Sequence, residues 1–296
     1  MANAMPAAEV DITVELVRAL LLDQHPDLAD LPLVLIGEGW DNVMFKLGDD
    51  YSVRVPRREI AAPLVHHEQE WLPKLAPRLP LPIPAPVRVG APALGYPWHW
   101  SVLPWFEGEM AESAPLRDPY EAATILGWFV RELNVPAPDG APANPYRGGP
   151  LASRFEVVVE RIAELPDEFD RAALLRIWKE LCDVPVYEGP PLWVHGDLHP
   201  ANLIVRDGRI HAVIDFGDLT AGDRSVDIAS GIMLFDPGPL DVFRDAAGAG
   251  GDDDLWRRAY GWALLHGVYC VSNSADNPVI NAVGRKTVAA VLRDCS

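Results

Sequence analysis

Cysteine is scarce in this chain of 296 residues, and long apolar runs are absent. The three cysteines, Cys182, Cys270 and Cys295, are odd in number and widely spaced, which excludes a disulfide framework and is typical of reduced thiols in a cytosol. No stretch approaches about 18 uninterrupted apolar residues, and the N-terminus has no basic flank before an apolar core. The sequence therefore predicts neither a membrane span nor a signal peptide, and we expect a cytoplasmic protein without a membrane partner.

Basic residues are in the minority, with 25 Lys and Arg against 43 Asp and Glu and a net charge of −18. Because the phosphate backbone of nucleic acids is bound by clustered Lys and Arg, we expect no nucleic-acid partner. The acidity would steer a cationic substrate towards the protein, but it serves equally to keep the chain soluble. The pattern G-x-x-x-x-G-K-S/T is also missing, which excludes a Walker-type ATPase. Nothing in the sequence indicates an oligomeric state.

The polar residues with catalytic chemistry lie in two short segments, residues 195–202 and 214–217. They contain H-x-D-x-x-x-x-N and then D-F-G, in the order of a kinase catalytic loop and its metal-binding segment. In such a loop the Asp accepts the proton of the substrate hydroxyl, the Asn binds Mg²⁺, and the later Asp holds metal against the nucleotide phosphates. We therefore predict Asp197 as the catalytic base and Asn202 and Asp215 as Mg²⁺ ligands.

The apolar residues after the loop predict a fold that brings these groups together. Two runs, residues 203–205 and 210–214, are separated by Asp207-Gly208, which is a two-residue hairpin signal. The hairpin would return the chain so that Asp215 emerges beside Asn202. A carboxylate and an amide oxygen would then converge on one cation.

The same loop allows a second interpretation as a metal cluster of a hydrolase. His195, Asp197 and His199 stand at alternate positions, and two His with an Asp can face one cation. No further His or Cys cluster with ligand spacing supports this interpretation, although His211 follows nearby. We interpret His195 as a structural residue that fixes the loop backbone by hydrogen bonding, and we leave the role of His199 open.

These segments carry a family resemblance. HGDLHPANLIV and IDFGD resemble the corresponding segments of the aminoglycoside and macrolide phosphotransferases, which are kinase-like small-molecule kinases. Further segments resemble the family's nucleotide-binding hairpin, third strand, first long helix, lobe-joining segment and Gly-Asp-Pro segment, in that order: residues 37–45, 51–57, 68–75, 101–109 and 222–229. The resemblance covers about residues 30–240, with its motifs in the family's order.

The resemblance implies an α+β, bilobal protein-kinase-like fold. We expect a small β-rich N-lobe with an N-terminal helix in residues 1–103 and an inter-lobe linker in residues 104–109. The larger, mainly helical C-lobe in residues 110–296 would hold the catalytic loop, the metal site and the substrate pocket. The residue pattern agrees, because apolar residues recur with a helical period after Glu109. The segment 73–104 is rich in proline, and Pro80, Pro82, Pro84 and Pro86 stand on alternate positions. It suits neither a helix interior nor a central strand, so the chain should run extended between the first helix of the lobe and its later strands.

The resemblance also implies a site for ATP or GTP in the N-lobe. Its candidate residues are Gly37, Gly39, Asn42, Arg54 and Glu68. The glycines would let backbone N–H groups approach phosphate oxygens, although the pair alone also fits an ordinary hairpin turn. Arg54 stands where a protein kinase carries a phosphate-binding Lys. We favour Glu68 over Glu70 as its helix partner because Glu68 lies one turn from the apolar face, the alternative being a solvated carboxylate.

Asp227 precedes an apolar run, and we interpret it as a buried support. Its family position implies that it accepts backbone hydrogen bonds from the catalytic loop without touching substrate. Asp218 is either a support for Asp215 or a solvated turn residue. The family's Gly-Asp-Pro is Gly222-Asp223-Arg224 in this chain, which changes the local turn and not the chemistry.

The sequence as a whole predicts an enzyme, a Mg²⁺-dependent kinase of a small hydroxylated molecule. The resemblance implies an aminoglycoside or macrolide acceptor, and with it antibiotic resistance, but sugars, choline-like alcohols and homoserine suit the same scaffold. A catalytically silent nucleotide-binding module is the alternative class, and the intact base and metal ligands disfavour it. A protein kinase is disfavoured because no A-P-E segment follows Gly217 and little room remains for an activation loop.

The acceptor pocket is expected on the C-lobe helices after Asp227. Trp256, Tyr260 and His266 supply aromatic and polar surface there and are the candidate substrate residues. The alternative is that they pack in the core of an amphipathic helix.

Overall fold

The computed structural model describes residues 7–274 and 277–295, and these divide into two compact units. Residues 7–78 and Pro82–Glu107 form the N-terminal unit. Leu79–Leu81 and the described residues after Glu107 form the C-terminal unit. Among the helices in the described ranges, none combines the length and the hydropathy that a membrane span requires.

The N-terminal unit is built on one antiparallel sheet. Its helices are α1 (Val14–Gln24) and α2 (Ala62–Leu75), and its strands are β1 (Leu33–Glu38), β2 (Asn42–Leu47), β3 (Tyr51–Pro56), β4 (Arg88–Gly90) and β5 (Trp100–Pro104). The strands pair in the order β1-β2-β3-β5-β4. β1 and β2 pair in antiparallel fashion, so residues 37–45 form a hairpin, as the resemblance implies.

The central strand β3 separates an apolar from a polar face. Val53 and Val55 are fully buried in a core that also contains Phe45 and side chains of α1. Because side chains alternate along a strand, Arg54 points to the opposite face, where it bonds to Glu68 of α2. The alternation of β3 therefore places a buried guanidinium against a helix.

The proline-rich segment departs from the prediction at both ends. Residues 79–87 have no helix or strand, but Pro73 lies inside α2, and β5 pairs with β3 and β4 as an inner strand. A proline close to the end of a helix removes one backbone hydrogen bond, and burial of Leu72 and Leu75 on either side keeps the last turn helical. The extended prediction is therefore confirmed for residues 79–87, and it is wrong for the end of the segment that forms the inner strand β5.

The C-terminal unit is mainly helical. Its helices are α3 (Pro119–Leu133), α4 (Phe155–Glu164), α5 (Arg171–Cys182), α6 (Ser225–Leu234), α7 (Pro237–Ala246), α8 (Asp253–Asn273) and α9 (Pro278–Cys295). Its short strands are β6 (Glu109–Met110), β7 (Leu192–Val194), β8 (Leu203–Arg206), β9 (Arg209–Val213) and β10 (Thr220–Gly222), which pair as β6-β8-β9 and β10-β7. The predicted α+β class is confirmed.

The hairpin of β8 and β9 turns at Asp207 and Gly208. Both residues have positive φ, 54° and 75°, as the tight turn favoured between twisted strands requires. The predicted hairpin is therefore confirmed, and its strands return the chain as the Asp-Gly pair indicates. At its end the backbone N–H of Ile214 donates to the carbonyl of Asn202 at 2.9 Å.

Candidate active site

The loop of residues 195–202 is anchored by the fully buried carboxylate of Asp227, in the first turn of α6. This carboxylate accepts the backbone N–H of His195 at 2.9 Å and that of Gly196 at 3.0 Å. The side-chain amide of Asn134 donates to it at 3.0 Å. Burial raises the pKa of Asp227, and the hydrogen bonds oppose that rise. Asp227 therefore fixes where the loop begins relative to α6.

Asp197 lies at the centre of a charged cluster. Nη2 of Arg147 donates to its Oδ1 at 2.8 Å, and Nε2 of His199 lies 3.4 Å from its Oδ2. Nε2 of His266 lies 4.0 Å from Oδ1. Burial would raise the pKa of Asp197, but Arg147 and His199 lower it well below its usual range. The carboxylate is therefore ionised at neutral pH and able to accept a hydrogen bond.

Asn202 and Asp215 are placed on neighbouring stretches of backbone. The side-chain nitrogen of Asn202 donates to the carbonyl of Asp197 at 2.9 Å. The Asn202 carbonyl accepts the N–H of Ile214, so Asp215 is the next residue along the returning chain. Asp215 has a φ of 62°, a left-handed conformation that is uncommon for residues other than glycine and recurs at functional sites.

The groups of this pair fit a magnesium ion. Because the amide nitrogen of Asn202 is engaged by a carbonyl, the amide oxygen is the atom available to a cation. Mg²⁺ binds through one or two carboxylates together with substrate phosphates and water, rather than in a cage made by the protein alone. Within the described ranges no group of three or more His, Cys, Asp or Glu is arranged around a metal site. Asn202 and Asp215 are therefore the candidate magnesium ligands.

Arg147 is a site residue that the sequence analysis missed. It lies 50 residues before Asp197, in the connection between α3 and α4. Its Nε donates to Asp218 at 2.9 Å, and Asp218 accepts a second hydrogen bond from Asn144 at 2.7 Å. Asp218 is thus bound to Arg147 rather than left in solvent, and it holds the guanidinium against Asp197. No local spacing signals this contact, because its partners are far apart in sequence.

His195 is fully buried, and its ring contacts residues 214–216 instead of the Asp197 carboxylate. Its Nε2 bonds to the carbonyl of Ile214 at 3.0 Å, and its ring packs on Phe216 with centroids 4.4 Å apart. His199 instead faces Asp197. The two histidines therefore do not form one ligand set with Asp197, which argues against the hydrolase interpretation.

His199 connects the base to the amide ligand. Its Nδ1 accepts the backbone N–H of Ala201 at 3.2 Å, and its Nε2 lies 3.3 Å from the side-chain nitrogen of Asn202. Burial would lower the pKa of His199, but the carboxylates of Asp197 and Asp215 raise it. His199 therefore lies between the Asp197 carboxylate and the Asn202 side chain, held there by the loop backbone.

The three candidate substrate residues on α8 do not share a face. His266 is buried and points to Asp197, as described above. The indole of Trp256 donates to the carbonyl of Ala249 at 2.8 Å, and the hydroxyl of Tyr260 donates to Asp294 at 3.0 Å. The structure brings His266 to the base, and it does not bring Trp256 or Tyr260 there.

In the N-terminal unit, Arg54 and Glu68 form a buried ion pair with 2.6 Å between Nη1 and Oε1. With its amide oxygen turned towards Arg54, Asn42 accepts from Nε at 3.0 Å and from Nη2 at 2.9 Å. The N–H of Gly39 donates to the carbonyl of Asn42 at 2.8 Å, which closes the hairpin turn. At Gly37 open space lies where a Cβ would stand, so the backbone there is accessible to a ligand. The five candidate nucleotide residues therefore lie together on one hairpin, its next strand and α2.

We expect the free energy of unfolding to fall as the pH drops from 6.5 towards about 3, because His266 is neutral in the folded protein. Burial, Arg147 and His199 lower the pKa of His266 to about 3, against the opposing effect of Asp197. The unfolded chain binds this proton near the ordinary pKa of 6.5, so protons favour unfolding in that window. The raised pKa of His199 has the opposite effect on the free energy of unfolding. Its stabilising contribution is fully present below pH 6.5 and is lost only as the pH rises above that value.

Urea unfolding measured across this pH range would test the expectation. A His266→Gln variant lacks the titrating group and should lose part of the decline between pH 6.5 and 3. Identical pH dependences of the two proteins would show that His266 is not the group responsible.

Comparison with known proteins gives one family and one fold. The model of the phosphotransferase enzyme family matches residues 32–262. The GDP complex of wild-type aminoglycoside 2'-phosphotransferase-IIIa is similar with a TM-score of 0.69 and 19% identity, covering 96% of this chain and 99% of that chain. A macrolide 2'-phosphotransferase from Brachybacterium faecium, solved as the apoenzyme, has a TM-score of 0.62 and 21% identity over 96% and 98% of the two chains. The streptomycin–ATP complex of APH(2")-IIa has a TM-score of 0.60 and 17% identity over 90% and 92%.

None of the curated proteins compared with the chain matches it. The similar structures have the kinase-like α+β fold, so the predicted fold is confirmed. The family match covers both the hairpin of Gly37 and Gly39 and the loop of Asp197 and Asn202.

Proposed function

Because the chain belongs to the phosphotransferase enzyme family, whose model matches residues 32–262, we propose that it transfers the γ-phosphate of ATP or GTP to a hydroxyl of a small molecule. Asp197 is the catalytic base, and Asn202 and Asp215 are the magnesium ligands. The residues that bind the nucleotide are Gly37, Gly39, Asn42, Arg54 and Glu68. His195 and Asp227 support the loop.

Asp197 orients the acceptor hydroxyl and receives its proton. The hydroxyl oxygen forms the new bond to the γ-phosphorus, the bond to the bridging oxygen breaks, and the nucleoside diphosphate leaves. The low pKa of Asp197 makes it a weak base, which suits a loose transition state in which the proton leaves late.

When bound, Mg²⁺ would neutralise charge on the β- and γ-phosphates. The amide oxygen of Asn202 and the carboxylate of Asp215 would hold it. Glu68 and the Asn42 amide keep the guanidinium of Arg54 in one orientation, and Arg54 supplies positive charge towards the phosphate oxygens.

The observation that carries this proposal is a continuous set of hydrogen bonds from Asp227 to Ile214. Asp227 holds the start of the loop, the Asn202 amide holds the carbonyl of Asp197, and the Asn202 carbonyl holds Ile214 directly before Asp215. Each link fixes one of the three groups that phosphoryl transfer needs. A site used for nucleotide binding alone has no need to fix a base beside the metal ligands.

The acceptor is a small polar molecule. The buried atoms Nε2 of His266 and Oε2 of Glu112 have no hydrogen-bond partner among the described residues, and such atoms indicate a polar ligand. The similar structures are aminoglycoside and macrolide phosphotransferases, so these antibiotics form the first class of acceptors to test, and hydroxylated metabolites form the second. Phosphorylation of an antibiotic would make the protein a resistance enzyme.

The experiment that tests the proposal is a thermal-shift measurement with ATP and GTP, each with and without Mg²⁺. The wild type should be stabilised by Mg-nucleotide, by about 2.7 kcal/mol at a ligand concentration of about 100 times Kd. Asp215→Asn should lose the magnesium-dependent part of this stabilisation, because it lacks the charged ligand.

The matched control is Asp207→Asn, which makes the same change in the exposed hairpin turn that leads to Asp215. It should respond to Mg-nucleotide like the wild type. Absence of any nucleotide shift in the wild type, or an equal magnesium effect in Asp215→Asn, would contradict the assignment.

A further inference from the structure

A group of arginine and tyrosine side chains in the C-terminal unit takes no part in the chemistry described above. Nη2 of Arg154 donates to the hydroxyl of Tyr269 at 3.5 Å, and its Cζ lies 5.3 Å from the ring centroid of Tyr146. Cζ of Arg161 lies 5.2 Å from the ring centroid of Tyr269. We call Tyr146, Arg154, Arg161 and Tyr269 the arginine–tyrosine cluster. Its aromatic rings hold two guanidinium groups in place.

Few carboxylates of the protein balance the positive charge of this cluster. Across the described part of the chain no carboxylate lies within ion-pair distance of Arg154, and its Nε is buried without a hydrogen-bond partner. Arg161 has Glu164 at 3.1 Å, but that side chain is 60% exposed, and such surface pairs contribute little. Two guanidinium groups on one tyrosine repel each other, and an anion bound to them would remove the repulsion.

The cluster is connected to the catalytic base through one face of α8. Nε2 of His266 lies 4.0 Å from Oδ1 of Asp197. Tyr269 and Cys270 follow three and four positions later, so they lie on the same helix face, one turn or about 5.4 Å further along. Burial and then the Asp197 carboxylate raise the pKa of Cys270 to about 12, which agrees with a face turned to the base.

We propose that the arginine–tyrosine cluster is the subsite that binds an anionic group, a carboxylate or a phosphate, of the hydroxylated acceptor. Arg154 and Arg161 bind the anion while Asp197 receives a hydroxyl of the same molecule, so the inference rests on the proposed function. Guanidinium groups match carboxylate and phosphate oxygens through paired hydrogen bonds. An acceptor with an ammonium group at this position would be repelled by both. An acidic hydroxylated acceptor should therefore bind at this subsite more tightly than a polycationic one.

A set of four ligands, glucose and three derivatives that are each changed at one carbon, tests the proposal without nucleotide. Glucose, glucosamine, glucuronate and glucose 6-phosphate share one ring, and their substituents are neutral, cationic, carboxylate and phosphate. Thermal shifts of the full chain should be largest with glucuronate and glucose 6-phosphate, smaller with glucose and smallest with glucosamine. Glucosamine carries its ammonium group at C2, whereas glucuronate and glucose 6-phosphate carry their anions at C6, and the ring and most of its hydroxyls are common to all four.

Variants of Arg154 assign the effect to the cluster. Arg154→Gln should weaken binding of glucuronate at least about tenfold, because the anion loses a charge-assisted donor. Arg154→Lys keeps the charge without the planar fork and should weaken it less. Arg176→Gln on α5 removes the same charge from an exposed position and should bind like the wild type.

The proposal is overturned by equal or larger shifts with glucose or glucosamine, by no shift with either anion at millimolar concentration, or by anion shifts that Arg154→Gln leaves unchanged. These outcomes are separate from the Mg-nucleotide response. Anion binding that depends on Arg154, in a protein that does not bind Mg-nucleotide, would support the subsite and reject the kinase. Nucleotide binding without a preference for anions would do the reverse.

Discussion

An Asp197→Asn variant is expected to transfer the phosphoryl group about 10²–10⁴-fold more slowly than the wild type. Asparagine has nearly the same size and can still contact Arg147, but it cannot take the proton of the acceptor hydroxyl. The loop should keep its conformation, because Asp227 holds it through the backbone of His195 and Gly196. The loss should therefore appear in kcat, with the KM for nucleotide little changed.

Steady-state assays of Mg-dependent transfer, run beside the thermal shift with nucleotide, would separate these two effects. Asp207→Asn again serves as the matched control and should retain wild-type turnover, because Asp207 lies in an exposed turn. Turnover by Asp197→Asn close to that of the wild type would reject Asp197 as the base. Loss of nucleotide binding in the same variant would indicate damage to the fold instead.

Glu68→Ala is expected to lower the free energy of unfolding by about 3–5 kcal/mol, because it leaves the charge of Arg54 buried without its partner. The side chains are 9% and 3% exposed for Arg54 and Glu68, so solvent cannot replace the lost carboxylate. Nucleotide affinity should fall as well, since Arg54 is no longer held in one orientation. Urea unfolding and nucleotide shifts on the same variant would measure both effects.

Glu70→Ala is the matched control on the same helix. Glu70 pairs with Lys74 at 3.2 Å, and both side chains are about half exposed, at 45% and 57%. A surface pair of this kind contributes about 0–1 kcal/mol, so the control should unfold nearly like the wild type. Equal losses of unfolding free energy in the two variants would show that the buried pair of Arg54 and Glu68 stabilises the fold no more than the exposed pair does. Glu68→Gln keeps a hydrogen-bond acceptor, so its loss should be intermediate between those of Glu68→Ala and Glu70→Ala.

The parts of the fold set by short-range patterns were predictable from the sequence. The Asp207-Gly208 turn requires positive φ at two successive positions, and few residue pairs accept that conformation, so the hairpin of β8 and β9 follows from local chemistry. The preference for Glu68 over Glu70 followed from helical spacing alone. In the structure Glu68 is buried against Arg54, and Glu70 is exposed.

Long-range contacts of the site were not predictable. Asn134 and Asp227 are 93 residues apart, and Arg147 and Asp197 are 50 apart. Such contacts depend on how helices and connections pack, which no local spacing encodes. Arg147 also lies in a connection rich in glycine and proline, where polar residues are usually assigned to turns.

The sequence also could not show which face of α8 meets Asp197. Buried residues occur all round this helix, because it packs against α4, α5, α6 and α9, so the apolar period does not single out one side. Trp256 and Tyr260 were therefore as plausible as His266, and only the position of Asp197 distinguishes them. The inner proline of α2 is a similar case, since tertiary packing overrides the local preference of Pro73.

Mass spectrometry of acceptors incubated with the protein and Mg·ATP or Mg·GTP tests the central claim most directly. The panel would contain aminoglycosides, macrolides, neutral sugars, amino alcohols and hydroxy acids. The account predicts at least one product that carries a phosphoryl group on a hydroxyl, formed by the wild type, and strongly reduced with Asp197→Asn or without Mg²⁺. Magnesium-dependent nucleotide binding with no phosphorylated product from any of these classes would contradict it and favour a silent nucleotide-binding module.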